Sequence, residues 1–129
     1  MLFGTAVVSG GMLIWPLITR ASAGGVKQVG ALEAVQLMNR RDAVVLDVRE
    51  TGEFAAGHIP NARNIPFGQL GDRLREIEKY KSRPIIVNGQ TVSHAAKACG
   101  ALSKIGITEV VALRGGMTGW VEASLPVEK

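Results

Sequence analysis

Residues 84–113 read PIIVNGQTVSHAAKACGALSKIGITEVVAL, and this stretch decides the fold. Pro84-Ile85-Ile86-Val87 is an unbroken apolar run rich in β-branched residues, the pattern of a strand buried on both faces. Proline at its first residue does the ladder no harm. The apolar period then changes. Ala95, Ala98/Cys99, Leu102 and Ile105 fall on one face of a helix, and Gly106 fits its C-terminal stop. Glu109-Val110-Val111-Ala112-Leu113 returns to the strand pattern. Strand, helix and strand in succession predict a right-handed crossover between parallel neighbours.

The same alternation extends toward the N-terminus. Ala43-Val44-Val45-Leu46 is another short strand with charges outside it. Ala31–Asn39 places Ala31, Ala34, Val35 and Met38 on one helical face. Leu70, Leu74 and Ile77 recur at helical spacing, and the charged residues between them form the solvated face. Toward the C-terminus, Gly115-Gly116 is a turn before a last short segment, in which Trp120 is expected to close the core. His58 precedes Ile59-Pro60 in a turn, where packing and hydrogen bonding are its expected roles. In parallel α/β sheets, ligands bind beyond the carboxyl ends of the strands. The loops after Asp47, Val87 and Leu113 are therefore the candidate site.

Composition narrows the function. The 129 residues suffice for one domain. Apolar residues are 47% and charged residues 20%, which fits a packed core rather than a disordered chain. The net charge of +4 is scattered, without a Lys/Arg run, so no nucleic-acid partner is expected. With one cysteine, Cys99, and two histidines, neither a disulfide nor a metal site is expected. No cofactor is implied.

Residues 1–19 contain no charge. Leu2 to Ile18 would make roughly 26 Å of helix, just short of the ~30 Å hydrocarbon core. Trp15 sits where an interfacial anchor belongs, and Arg20 and Lys27 follow. The expectation is a single-pass transmembrane helix over 1–19, a linker over 20–27 and a domain over 28–129, with the positive flank placing the domain on the cytoplasmic side. A cleaved signal peptide competes, because Ala21-Ser22-Ala23 has the small-x-small form of a cleavage site. Against it, no positive charge precedes the apolar run.

Leu46-Asp47-Val48-Arg49-Glu50, Glu53-Phe54, Gly57-His58-Ile59-Pro60-Asn61-Ala62 and Asn64-Ile65-Pro66, followed by Gly106, the strand 110–113, Gly115-Gly116 and Trp120, form an ordered set that resembles the signature of the rhodanese family. The resemblance implies a single domain around a five-stranded parallel sheet flanked by helices. It also implies a sulfurtransferase activity, in which a cysteine opening the loop after the fourth strand carries sulfane sulfur as a persulfide. Such a site works by stabilising a thiolate with converging backbone N–H groups at a helix start.

This chain departs from that pattern. Its loop reads Asn88-Gly89-Gln90-Thr91-Val92-Ser93-His94. Counting back from the helix puts the nucleophile position at Gly89 and a frequent family arginine at His94; a shift of one puts the nucleophile at Asn88. Neither is a cysteine. A glycine at position 89 leaves more room in the loop. Cys99, two turns into the helix on its inward face, reads as a small core residue. Ser93 beside His94 does not make a hydrolytic pair, since adjacent helical residues do not face each other; Ser93 reads as the helix N-cap and His94 as an exposed first-turn residue. Asp47 and Arg49 are implied to support the site by hydrogen bonds.

The expected function is thus a membrane-tethered, non-catalytic module whose loop 88–94 binds a small anion or a protein partner. Two alternatives stay open: an active sulfurtransferase using Cys99 or a partner's thiol, and a phosphoryl-handling site, which the resemblance admits because related phosphatases share the fold.

Overall fold

A computed structural model describes residues 27–129. The segment 1–19, and with it the expected anchor, lies outside the described residues. Among the described residues no helix is long and apolar enough to cross a membrane.

Five strands form one parallel sheet: β1 (Gln28–Val29), β2 (Val44–Asp47), β3 (Arg63–Asn64), β4 (Ile85–Asn88) and β5 (Val110–Leu113), in the order β1-β5-β4-β2-β3. Between them run α1 (Ala31–Arg41), α2 (Thr51–Ala56), a 3₁₀ turn (Phe67–Gln69), α3 (Leu70–Arg73), α4 (Arg75–Glu78), α5 (Val92–Lys104) and α6 (Gly116–Glu122). The helix expected through Leu70, Leu74 and Ile77 is broken at Leu74 into two single turns. Lys27, expected in the linker, already belongs to the sheet: its carbonyl accepts the Ala112 N–H at 2.9 Å.

The central strands are buried on both faces, and their alternation sorts the core into two layers. Val44, Leu46, Ile85, Val87, Val110 and Ala112 face the layer covered by α5, to which Ala95, Ala98, Cys99 and Leu102 contribute. Val45, Ile86, Val111 and Leu113 face the layer that holds Ala34 and Leu37 of α1 and Trp120 of α6. Trp120 is 2% exposed and donates its indole N–H to the Pro126 carbonyl at 2.7 Å, so its one polar atom is satisfied. Gly106 ends the α5 turn at φ +96°, a conformation suited to glycine.

Glu128 is pinned to the turn between α2 and β3. His58 and Glu128 exchange both backbone hydrogen bonds at 2.8 Å. The His58 ring stacks on Phe54 at 3.7 Å between centroids, and its Nδ1 lies 2.8 Å from the Phe54 carbonyl.

Candidate functional site

Parallel strands bring their carboxyl ends to one edge of the sheet. There Asp47 closing β2 stands opposite Asn88 closing β4. Asp47 is fully buried, and a buried carboxylate requires partners. Arg49 supplies most of them. Its backbone N–H reaches Asp47 Oδ1 at 3.0 Å, its Nε donates at 3.0 and 3.1 Å to Oδ1 and Oδ2, and its Nη2 reaches Oδ2 at 2.8 Å. The same Nη2 donates to the Gly57 carbonyl at 2.8 Å. Asn88 Nδ2 adds a longer bond to Asp47 Oδ2 at 3.3 Å. Asn64 on β3 donates to the Asp47 and Arg49 carbonyls. The result ties the ends of β2, β3 and β4 into one polar network beneath the loops.

Above this network lies a cavity of about 470 Å³. Its walls come from the three loops expected to meet here: Arg49 after β2, Gly89 to Val92 after β4, and Arg114 to Thr118 after β5, joined by Gln28. Of the expected loop residues, Gly89, Gln90, Thr91 and Val92 line it; Asn88 is buried beneath, and Ser93 and His94 are not in its walls. Gln28, Arg114, Met117 and Thr118 were not singled out by sequence. Arg114 was the most accessible to that reading, because it is the first residue past an apolar strand in a loop already marked.

The helix start differs from expectation in three ways. First, α5 begins at Val92, and its N-cap is Thr91 rather than Ser93: Thr91 Oγ1 accepts the His94 N–H at 3.1 Å. Thr91 has extended backbone angles, φ −132° and ψ 161°, whereas Ser93 is already helical and cannot cap. Second, His94 is half-buried rather than exposed, its ring stacked on Phe67 with centroids 4.6 Å apart. Third, Gly89 does not leave the loop roomy. A Cβ there would stand 3.0 Å from the Ala95 amide nitrogen and 3.2 Å from the Thr91 carbonyl oxygen. The absent side chain has let the helix start close in.

The electrostatics of the cavity are cationic. Arg49 is neutralised by Asp47, but Arg114 is exposed and forms no ion pair among the described residues. The N–H groups of Val92 and Ser93 occupy the first turn of α5 and have no intrahelical carbonyl to bond. No cysteine lines the cavity. Cys99 lies in the core with Val87, Leu102 and Val110, and burial pushes its thiol from the ordinary 9.0 up to about 12. That shift is opposite to the one a thiolate nucleophile needs.

A family model for the rhodanese-like domain matches residues 31–123. The chain belongs to the rhodanese-like domain family. It is 33% identical over 119 residues to YibN of Escherichia coli K12, covering 90% of this chain and 83% of that protein. It is 30% identical over 92 residues to a sulfurtransferase of Allochromatium vinosum, covering 71% of this chain and 84% of that protein. The rhodanese-related protein of Thermoplasma volcanium has the same fold in a crystal structure, at a TM-score of 0.69 and 29% identity over 78% of this chain and 96% of that one. This rhodanese-like chain is thus a homologue of sulfurtransferases, with the five-stranded parallel sheet that the resemblance implied.

Proposed function

We propose that this chain is a membrane-tethered rhodanese-like module that does not carry sulfur itself, and that its cavity receives a small anion or an anionic group of a protein partner. The observation that carries this reading is Gly89. It opens the loop after β4, the position where the family places its nucleophilic cysteine, and the cavity around it contains no sulfur atom from cysteine. Persulfide transfer needs a thiolate. The one thiol of the chain is buried in α5, behind the cavity wall, with its ionisation suppressed. Arg114 and the N–H groups at the start of α5 are donors that do not depend on the missing cysteine, and they suit a sulfate-, phosphate- or carboxylate-like group.

The tether is residues 1–19, with the domain on the cytoplasmic side; an uncharged apolar run followed by Arg20 and Lys27 supports it.

Incubating the purified chain with thiosulfate and cyanide tests the chemical half. Thiocyanate formation at the level of a Cys99→Ser control is expected, and turnover well above that control would return the chain to the sulfurtransferases. Thiosulfate or phosphate should raise the thermal midpoint of the wild-type chain and raise it less in Arg114→Gln. Deleting residues 1–19 should move the chain from the membrane fraction to the soluble one; an intact chain already in the soluble fraction would reject the tether.

A further inference from the structure

The end of the sheet remote from the cavity, where the strands begin, carries a cluster of charge that the cavity does not use. Arg63, Lys79 and Arg83 all surround the ring of Tyr80, each cationic centre 5.3 Å from the ring centroid. No two of them therefore lie farther apart than roughly one Debye length, ~10 Å at moderate salt. The ring attracts each cation singly, but it does not cancel their mutual repulsion. None of the three forms an ion pair among the described residues. Arg83 Nε donates to the Asp42 carbonyl, which removes no charge. Glu76 feels Lys79 and Arg63, yet its carboxylate is held by two bonds from Arg73. Beside the cluster is an open hollow of about 340 Å³, walled by Arg63, Tyr80 and Arg83 with Asp42 as its only carboxylate. Three cations against the one carboxylate of Asp42 leave the cluster with a net positive charge.

The length of chain before Lys27 says which anion is at hand. The described residues begin at Lys27, beside β5 on the edge strand β1. As sequence, residues 20–26 can span at most ~25 Å. The cluster lies about β4 and β3, two to four inter-strand spacings from β1, or ~10–19 Å. A bilayer entered by residues 1–19 is therefore within reach of the cluster.

We propose that the Arg63–Lys79–Arg83 face rests on anionic phospholipid headgroups of the membrane that residues 1–19 enter, so that the cavity at the other end of the sheet opens away from the bilayer. This inference rests on the tethered reading above. An acidic protein or a nucleic acid would also suit three cations, but neither is held within a linker's length by the chain itself.

The full-length chain is reconstituted into vesicles of phosphatidylcholine alone or of phosphatidylcholine with phosphatidylglycerol, both carrying a nitroxide on a fraction of headgroups. A fluorophore is placed at Ser82→Cys, beside the cluster, or at Gln90→Cys, in the cavity wall; Cys99 is buried and stays unlabelled. The expected result is severalfold stronger quenching at 82 than at 90 in anionic vesicles. Phosphatidylcholine vesicles, molar salt, or the combined Arg63→Gln, Lys79→Gln and Arg83→Gln changes should each reduce the difference. A chain that floats with both vesicles but shows equal quenching at the two sites, or quenching at 82 indifferent to lipid charge, overturns this inference and leaves the tether standing. A chain that floats with neither vesicle overturns the tether and this inference together.

Discussion

Gly89 lies directly against the backbone of Ala95: a Cβ at position 89 would stand 3.0 Å from the Ala95 amide nitrogen and 3.3 Å from its Cα. The loop is thus adapted to glycine rather than merely deprived of cysteine. Gly89→Cys needs the start of α5 to retreat by a few tenths of an ångström. We expect it to lower the unfolding free energy by about 1–3 kcal/mol, the usual cost of overpacking. The new thiol would also sit at the first turn of a 13-residue helix, which favours the thiolate. Mass spectrometry after exposure to thiosulfate should therefore find one added sulfur atom, removable by cyanide, in Gly89→Cys and not in the wild type. If the variant folds and takes no sulfur, position 89 is not the nucleophile position.

Cys99 provides a pH-dependent test of its own burial. Its folded-state value is raised from 9.0 to about 12, so the folded chain holds the proton where the unfolded chain has lost it. The contribution to stability is complete below pH 9 and is lost as pH rises from 9 toward 12. The slope within that window is at most about 1.4 kcal/mol per pH unit. Urea unfolding from pH 8.5 to 10.5 should show a steeper fall for the wild type than for Cys99→Ala, with lysine and tyrosine titration common to both. Parallel curves would place the thiol in water.

Much of this arrangement was legible in the residues, for physical reasons that also mark where legibility ends. β2, β4 and β5 are short buried runs of Val, Ile, Leu and Ala, closed by Asp47 in β2 and Asn88 in β4, so their apolar character is nearly continuous and their limits fall within a residue or two of expectation. β1 and β3 are two residues each at the sheet's edges; Gln28-Val29 and Arg63-Asn64 carry no periodicity to detect. The three loops of the cavity followed from parallel topology alone. The tight contact at Gly89 did not, because it is set by the approach of α5, which no local pattern encodes. Arg114 was not singled out because an exposed arginine after a strand looks like any other surface charge until the cavity is formed around it.

The cap of α5 is Thr91 and not Ser93, the hydroxyl that the sequence pattern favours. Thr91 Oγ1 accepts the His94 N–H, and Ser93 is exposed within the first turn. Thr91→Ala should cost about 0.5–2 kcal/mol. Ser93→Ala should fall within ~0.5 kcal/mol of the wild type. Thermal unfolding of the two variants side by side decides the matter; a larger loss at 93 than at 91 would move the helix start by two residues.

The Asp47–Arg49 pair makes the strongest demand on the site end of the fold. Their side chains are 1% and 12% exposed, and Asp47 accepts three of Arg49's N–H groups while Arg49 also holds the Gly57 carbonyl. Removing one member leaves a buried charge poorly compensated, which typically costs about 3–5 kcal/mol. Arg49→Ala should therefore lose about 3 kcal/mol in urea unfolding. Asn88 and the residue 49 amide still reach the carboxylate and hold the loss toward the low end of that range. Arg49→Lys should recover only part, because an ammonium cannot bridge both carboxylate oxygens and the Gly57 carbonyl with a fixed fork. Combining Asp47→Asn with Arg49→Ala should cost less than the sum of the single changes, since the second substitution removes a group the first had already left unpaired. A loss below ~1 kcal/mol for Arg49→Ala, or strict additivity in that cycle, would show that the network is decoration on a sheet end held by β2 and β4 alone.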